Sequence, residues 1–154
     1  MKKFLVDSML GKLAKWLRLL GYDTIYTDIK EPNKLKAFLE KDYIFLTRQH
    51  KWIHYRIFKH QPIYLVNANE PKAQLAEVIK RFKLEFSPRR FCSRCVICNV
   101  PLIEKKKEEV EIYVPEYISH TFSYFKVCPR CKRVYWAGSH QKRMQEFLKK
   151  IGFL

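Results

Sequence analysis

The chain has 154 residues, 47% of them hydrophobic, enough for one ordinary domain and a small one, and 31 Lys and Arg stand against 15 Asp and Glu, a formal net charge of +16. No apolar run approaches the roughly 18–20 residues of a spanning helix, which argues against a membrane protein. The surplus is spread over both halves, 17 basic against 8 acidic residues in 1–83 and 14 against 7 in 84–154, so both halves are expected to face one polyanion, with nucleic acid favoured because Lys and Arg contacts release condensed counterions.

Lys2–Val6 reads as a short buried strand ending at Asp7. Ser8 is expected to cap a helix whose Leu10, Leu13, Ala14, Leu17 and Leu20 repeat at helical spacing until Gly21 stops it. Thr24–Thr27 gives a second strand, Pro32 opens a helix carrying Leu35, Phe38 and Leu39, and Tyr43–Thr47 gives a third strand. A polar and aromatic helical stretch at 50–58 precedes a fourth strand, Pro62–Val66. Pro71 then begins a helix with Leu75, Val78, Ile79 and Phe82. Strands alternating with helices predict a doubly wound parallel α/β sheet over residues 1–88.

Ser87-Pro88-Arg89-Arg90 reads as a linker, after which residues 89–154 carry the cysteines. The charge run Glu104–Glu109 reads as a solvated hairpin tip, flanked by β-rich runs at Val110–Val114 and Phe122–Val127. Arg133–Trp136 is a further strand. A basic helix from about His140 closes the chain, with Met144, Phe147, Leu148 and Ile151 packing on one face.

Cys95-x-x-Cys98 and Cys128-x-x-Cys131 supply the four thiolates of a tetrahedral structural Zn²⁺ site, and a zinc ribbon is the expected form. The 29 intervening residues exceed the roughly 15–20 of the commonest spacing, so the ribbon holds a long excursion. Two disulfides or a redox motif are the alternatives; a disulfide framework belongs to secreted chains, and residues 1–30 hold no apolar signal segment. Thiolate ligands imply a reducing compartment, hence a cytoplasmic protein. Cys92 is also spaced x-x from Cys95. The Cys95/Cys98 pairing is preferred because Asn99-Val100-Pro101 follows it as a turn, leaving Cys92 a free thiol.

Ligands of open parallel sheets sit beyond the carboxyl ends of the strands. Asp7 follows strand one, and Asp28 with Glu31 follows strand two. Carboxylates there can hold Mg²⁺ or Mn²⁺ for phosphodiester hydrolysis. Asp7 serves equally as an acid favourable to a helix dipole, with no metal at all. Lys12, Lys15 and Arg18 recur every third residue along the first helix as a candidate phosphate-binding stripe, or simply a solvated face. Arg48, Lys51, Arg89, Arg90, Arg130 and Arg133 add to the cationic supply, with aromatic neighbours suited to unpaired bases.

The run Phe4-Leu5-Val6-Asp7-Ser8-Met9-Leu10-Gly11-Lys12-Leu13-Ala14-Lys15-Trp16-Leu17-Arg18-Leu19-Leu20-Gly21-Tyr22-Asp23-Thr24 resembles the opening of the Mut-seven C-terminal ribonuclease domain. That family has a PIN-like nuclease fold with a carboxy-terminal zinc ribbon. Leu46-Thr47-Arg48, Gln74-Leu75, Arg94-Cys95-x-x-Cys98-Asn99 and Tyr135-Trp136-x-Gly138-Ser139-His140 with Met144 resemble its later signatures, so the likeness spans nearly the whole chain. It implies metal-dependent RNA cleavage, with the first catalytic acid at Asp7 and Asp28 as the best surviving second. The family reads Thr-Arg-Asp after strand three, often with another acid two residues on, whereas this chain has Gln49 and Lys51. Pro32, Asn33 and Lys34 stand where further acids would be, and the sequence does not bring Glu40 or Asp42 to the cleft.

Two readings follow. One is an RNA-binding protein with an eroded metal site, a component of a ribonucleoprotein such as the ribosome. The other is an active divalent-metal endoribonuclease. Gln49 with Lys51 favours the first, and Asp7 the second.

Overall fold

The computed structural model describes residues 1–154. Four parallel strands, β1 (Lys3–Val6), β2 (Thr24–Tyr26), β3 (Tyr43–Thr47) and β4 (Ile63–Leu65), lie in the order β2-β1-β3-β4. The register sets Phe4 against Thr24 and Ile44, and Thr47 against Leu65. Successive side chains of a strand point to opposite faces, and β1 divides accordingly. Phe4 and Val6 enter one core with helices α1 (Gly11–Leu19) and α3 (Pro71–Phe82); Leu5 enters the other with α2 (Pro32–Glu40), Phe45 and Trp52. The sheet is therefore covered on both faces, as the alternation of strands and helices predicts.

Local chemistry modifies two of the expected elements and explains a third. Ser8 does not cap α1, which starts at Gly11; the carbonyl of Asp7 accepts from the Leu10 N–H instead, freeing the Ser8 hydroxyl to donate to Asp28 Oδ1 at 3.4 Å. Residues 50–58 form two 3-10 turns that press Trp52 and Phe58 into the second core. Gly21 (φ +95°) ends the first helical segment, and a Cβ there would lie 2.5 Å from the Cβ and carbonyl oxygen of Arg90, so the position needs glycine twice over.

The cysteine-bearing part holds a small antiparallel sheet, β5 (Ile103–Lys105), β6 (Phe125–Val127) and β7 (Val134–Tyr135), in that order. Between β5 and β6 the excursion is helical: of the two expected β-rich runs, Val110–Val114 is not a strand and Phe122–Val127 holds β6. Glu104 and Lys105 belong to β5. Lys106 and Glu109 then form a capping box that starts α4 (Lys107–Val110), a 3-10 turn covers Glu111–Tyr113, and α5 spans Glu116–Thr121. The reason is a satellite core of Val110, Ile118 and Phe125, which takes one residue from each of two short helices and one from a strand.

The chain crosses residue 88 with its main core continuous. Leu84, Phe91 and Cys92 join α1 and α3, and so do Met144 and Leu148 of the last helix, α6 (Ser139–Lys150). Phe147 packs partly against the same cluster, whereas Ile151 lies beyond the helix and is 37% exposed, so the apolar stripe of α6 ends one residue short of expectation. No helix is long and apolar enough to cross a membrane.

Candidate functional site

The Sγ atoms of Cys95, Cys98, Cys128 and Cys131 all lie within 4.8 Å of one another, close enough to hold a metal ion together. Both knuckles fold alike. The N–H of Asn99 donates to the Cys95 carbonyl and that of Cys95 to the Val100 carbonyl; Lys132, Cys128 and Arg133 repeat the pattern. Asn99 and Lys132 both have φ +66°, the left-handed bend that turns the chain back under the metal-facing sulfurs. The Cys98 N–H points at Cys95 Sγ (3.3 Å) and the Cys131 N–H at Cys128 Sγ (3.4 Å), contacts that favour thiolates. A tetrahedral ion with Zn–S bonds of about 2.3 Å separates its sulfurs by about 3.8 Å, and Cys95 and Cys131 are 3.7 Å apart. The donor set thus fits zinc.

The cysteines differ in their surroundings, though not along the line between knuckle and free thiol: burial and the hydrogen bonds with Cys131 and Cys128 push Cys98 up to about 12. Burial pushes the Cys95 thiol up, but hydrogen bonds from the Tyr135 hydroxyl (3.0 Å), from the N–H groups of Cys98 and Ile97 and from Cys131 outweigh it and bring it down to about 7. Cys92 has no such donors, and burial pushes it up to about 12. Its backbone has a structural role, the N–H donating to Leu19 at 2.7 Å and the carbonyl accepting from Lys126 Nζ at 3.3 Å.

At the carboxyl end of the parallel sheet, Asp7 is fully buried. Its Oδ1 accepts from the Ser8 N–H at 2.9 Å, and its Oδ2 accepts from Thr47 Oγ1 and from Gln49 Nε2, both at 2.7 Å. Asp28 is exposed and lies 3.6 Å from Lys30 Nζ. Glu31, Glu40 and Asp42 are also exposed. The four cysteines are the single place where three or more potential ligands gather; at the sheet end Ser8 links Asp7, through its N–H, to Asp28, through its hydroxyl, and no third acid joins them. One wall of this region is the 66–69 loop. Arg48 donates to the carbonyls of Val66, Asn67 and Ala68 and to Asn69 Oδ1, and Glu77 accepts from the Asn67 and Ala68 N–H groups and from the Tyr64 hydroxyl at 2.6 Å. Gln74, buried on α3, adds a bond to Ala68 O at 3.0 Å.

The family model of the Mut7-C RNAse domain matches residues 2–148. The chain belongs to the Mut7-C RNAse domain family. A search of curated proteins finds no match.

Arg18 does not join the cationic stripe of this Mut7-C domain. It is 8% exposed, and its guanidinium donates from Nε to Thr24 O at 2.8 Å and from Nη1 to Val96 O and Ile97 O, the two residues inside the first knuckle. Burial pushes its pKa down, opposed by the charges of Cys95, Cys98 and Asp23. A divalent ion with four thiolates leaves two negative charges, which a buried guanidinium at that distance helps to balance. Asn99 completes the joint. Its Oδ1 accepts from the Thr24 N–H at 2.9 Å, its Nδ2 donates to Asp23 Oδ1 at 2.7 Å, and Tyr43 donates to the other oxygen of Asp23 at 3.1 Å.

Arg48 is likewise engaged with backbone, and Arg90 lies half-buried over the Tyr22 ring and donates to Glu85 O at 3.0 Å. Lys12, Lys15, Lys51, Arg89, Arg130 and Arg133 are exposed. Sequence reasoning missed Glu77, Tyr135 and the roles of Arg18 and Asn99. The two halves of each of these pairings lie far apart in the chain except at Glu77, where spacing from a strand-end loop to the following helix was the available signal.

Proposed function

We propose that this Mut7-C protein is a cytoplasmic RNA-binding protein whose fold is retained as a basic scaffold while its divalent-metal chemistry is lost, and that it works as part of a ribonucleoprotein such as the ribosome. The observation that carries the reading is the Gln49 amide on Asp7. An amide N–H₂ group 2.7 Å from Oδ2 occupies the carboxylate where a nuclease needs an open anionic ligand. With Thr47 and the Ser8 N–H on the same carboxylate, an incoming ion would have to break a buried network, and the neighbouring Asp28 is exposed and paired with Lys30.

Charge supports the binding half. Lys30 and Lys36 are the only Lys or Arg side chains within 4.0 Å of a carboxylate, so nearly all of the 31 basic residues are without an anionic partner. Lys12, Lys15, Lys51, Arg89, Arg130 and Arg133 are the proposed phosphate contacts. Zn²⁺, held by Cys95, Cys98, Cys128 and Cys131, is proposed as a structural ion.

Filter binding to single-stranded and structured RNA, paired with a Mn²⁺ cleavage assay, tests the proposal. Affinity should fall steeply with salt, roughly in proportion to the number of phosphates neutralised, with little dependence on sequence and no cleavage. Robust cleavage abolished by Asp7→Asn would instead establish the endoribonuclease reading, which the buried acid at the end of β1 favours. Salt-independent binding would refute the electrostatic scaffold.

A further inference from the structure

A cavity of about 610 Å³, open to solvent, is lined by residues of the small sheet, of the chain on either side of it and of α6. Its volume lies within the roughly 300–1,000 Å³ of small-molecule sites. Five of its fourteen lining residues are aromatic, among them Phe91 from the chain entering the ribbon, Trp136 from the residue after β7, and Tyr124 from the residue before β6. Tyr124 stands at the mouth, 90% exposed and engaged in no hydrogen bond, an unusual position for a ring that nothing in the protein covers. Gly138 leaves room for the indole, since a Cβ there would lie 3.0 Å from Trp136 Nε1.

The polar groups of the same cavity have a definite sign. Lys105, Lys106 and Lys126 line it together with Glu104 and Glu109. The Glu109 carboxylate is committed to the Lys106 N–H at 2.8 Å as part of the capping box. None of the three ammonium groups lies within 4.0 Å of a carboxylate. Lys126 is tied to the Cys92 carbonyl at 3.3 Å; cations without a carboxylate partner beside aromatic faces suit a flat, neutral ring joined to an anion, and Glu104 leaves one carboxylate free to accept from an exocyclic amino group.

We propose that this cavity receives one unstacked nucleobase of single-stranded RNA, stacked on Tyr124, with the adjoining phosphate on the lysines. The inference rests on the RNA-binding reading above and deepens it by making single-stranded RNA the preferred partner. It also gives the excursion a purpose: α4 and α5 carry the chain from Lys105 round to Tyr124, so the insertion between the knuckles builds the mouth of the cavity.

The test uses the full chain and a mixed-sequence single-stranded RNA decamer carrying 2-aminopurine, with a blunt RNA duplex as comparison. Tyr124→Ala should weaken decamer binding by about tenfold, the lower part of the range for loss of one base stack, and reduce the fluorescence change of the base analogue, leaving duplex affinity unchanged. Tyr124→Phe should retain both signals. Because Tyr124 is 90% exposed, neither variant disturbs a core. Undiminished decamer binding by Tyr124→Ala, with binding still weakened by Lys12→Glu and Lys15→Glu, would overturn the cavity assignment and leave RNA binding standing. Equal losses on decamer and duplex would overturn it too, as a general electrostatic effect. Failure of the unaltered protein to bind either RNA would remove the RNA-binding reading and this one together.

Discussion

A glutamine side chain is one methylene longer than aspartate and ends in a donor. Both properties matter at position 49: the length lets Nε2 reach Asp7, and the donor satisfies the oxygen that an ion would need. Substituting Gln49→Asp together with Lys51→Asp removes the donor and adds two anions to a site that already holds a buried carboxylate. The double variant is expected to lose stability without metal, since like charges in one site repel, and to regain it with Mn²⁺. A melting temperature that rises with Mn²⁺ in the variant and not in the parent, together with new cleavage removed by Asp7→Asn, checks this. Glu77 gives a pH-dependent counterpart. Burial raises its pKa, but hydrogen bonds from Tyr64, Asn67 and Ala68 and the charge of Arg48 outweigh that and hold it below the ordinary 4.5. A carboxylate depressed by folding contributes stability above its ordinary pKa and loses it as the pH falls through the lowered value. Glu77→Gln should therefore be less stable than the parent at pH 7, with the gap in unfolding free energy closing as the pH drops below about 4.5.

Among the elements, the metal knuckles are the most coupled to their surroundings. Chelation of the ion should unfold the ribbon, since such sites contribute folding free energy directly. Through Arg18 and Asn99 it should also loosen the β1–β2 edge, where amide exchange at Thr24 reports the change. Retention of full protection at Thr24 in the metal-free protein would show the joint to be passive. Arg18→Lys is not conservative here, because three carbonyls share one planar fork; a loss of about 1–3 kcal/mol is expected, the cost of leaving buried acceptors unpaired, measured by urea unfolding. The knuckles were legible in the sequence because four cysteines at fixed spacing admit few arrangements, and the alternating elements of 1–82 because apolar period and Pro punctuation agree there. Arg18 was misread because three-residue steps fall short of the 3.6-residue turn, so two steps from Lys12 rotate the side chain by about 120° and into the core beside Leu17. Val110–Val114 alternates like a strand, and only the satellite core with Ile118 and Phe125 draws it into helical turns. The Gln49–Asp7 bond joins residues on neighbouring strand ends, and the departure from the family pattern gave the residue without its partner.

Across the whole molecule, the parallel sheet is finished from far down the chain. Leu148 is fully buried among α1 and α3 residues, and Leu148→Ala should cost about 2–5 kcal/mol. Its effect should appear as lost amide protection in β1 and α3 as well as in α6; protection lost in α6 alone would mean that the helix docks without supporting the sheet. During synthesis at roughly 5–20 residues per second, on the order of seconds separates the emergence of Phe82, the last residue of the sheet-covering α3, from that of Leu148. For that interval the apolar cluster of α1 and α3 lacks Met144 and Leu148, which leaves a sticky surface on a nascent chain. The ribbon lies in sequence between that surface and its cover, so the time the cysteine knuckles take to close would bear on how long the nascent sheet stays open to aggregation.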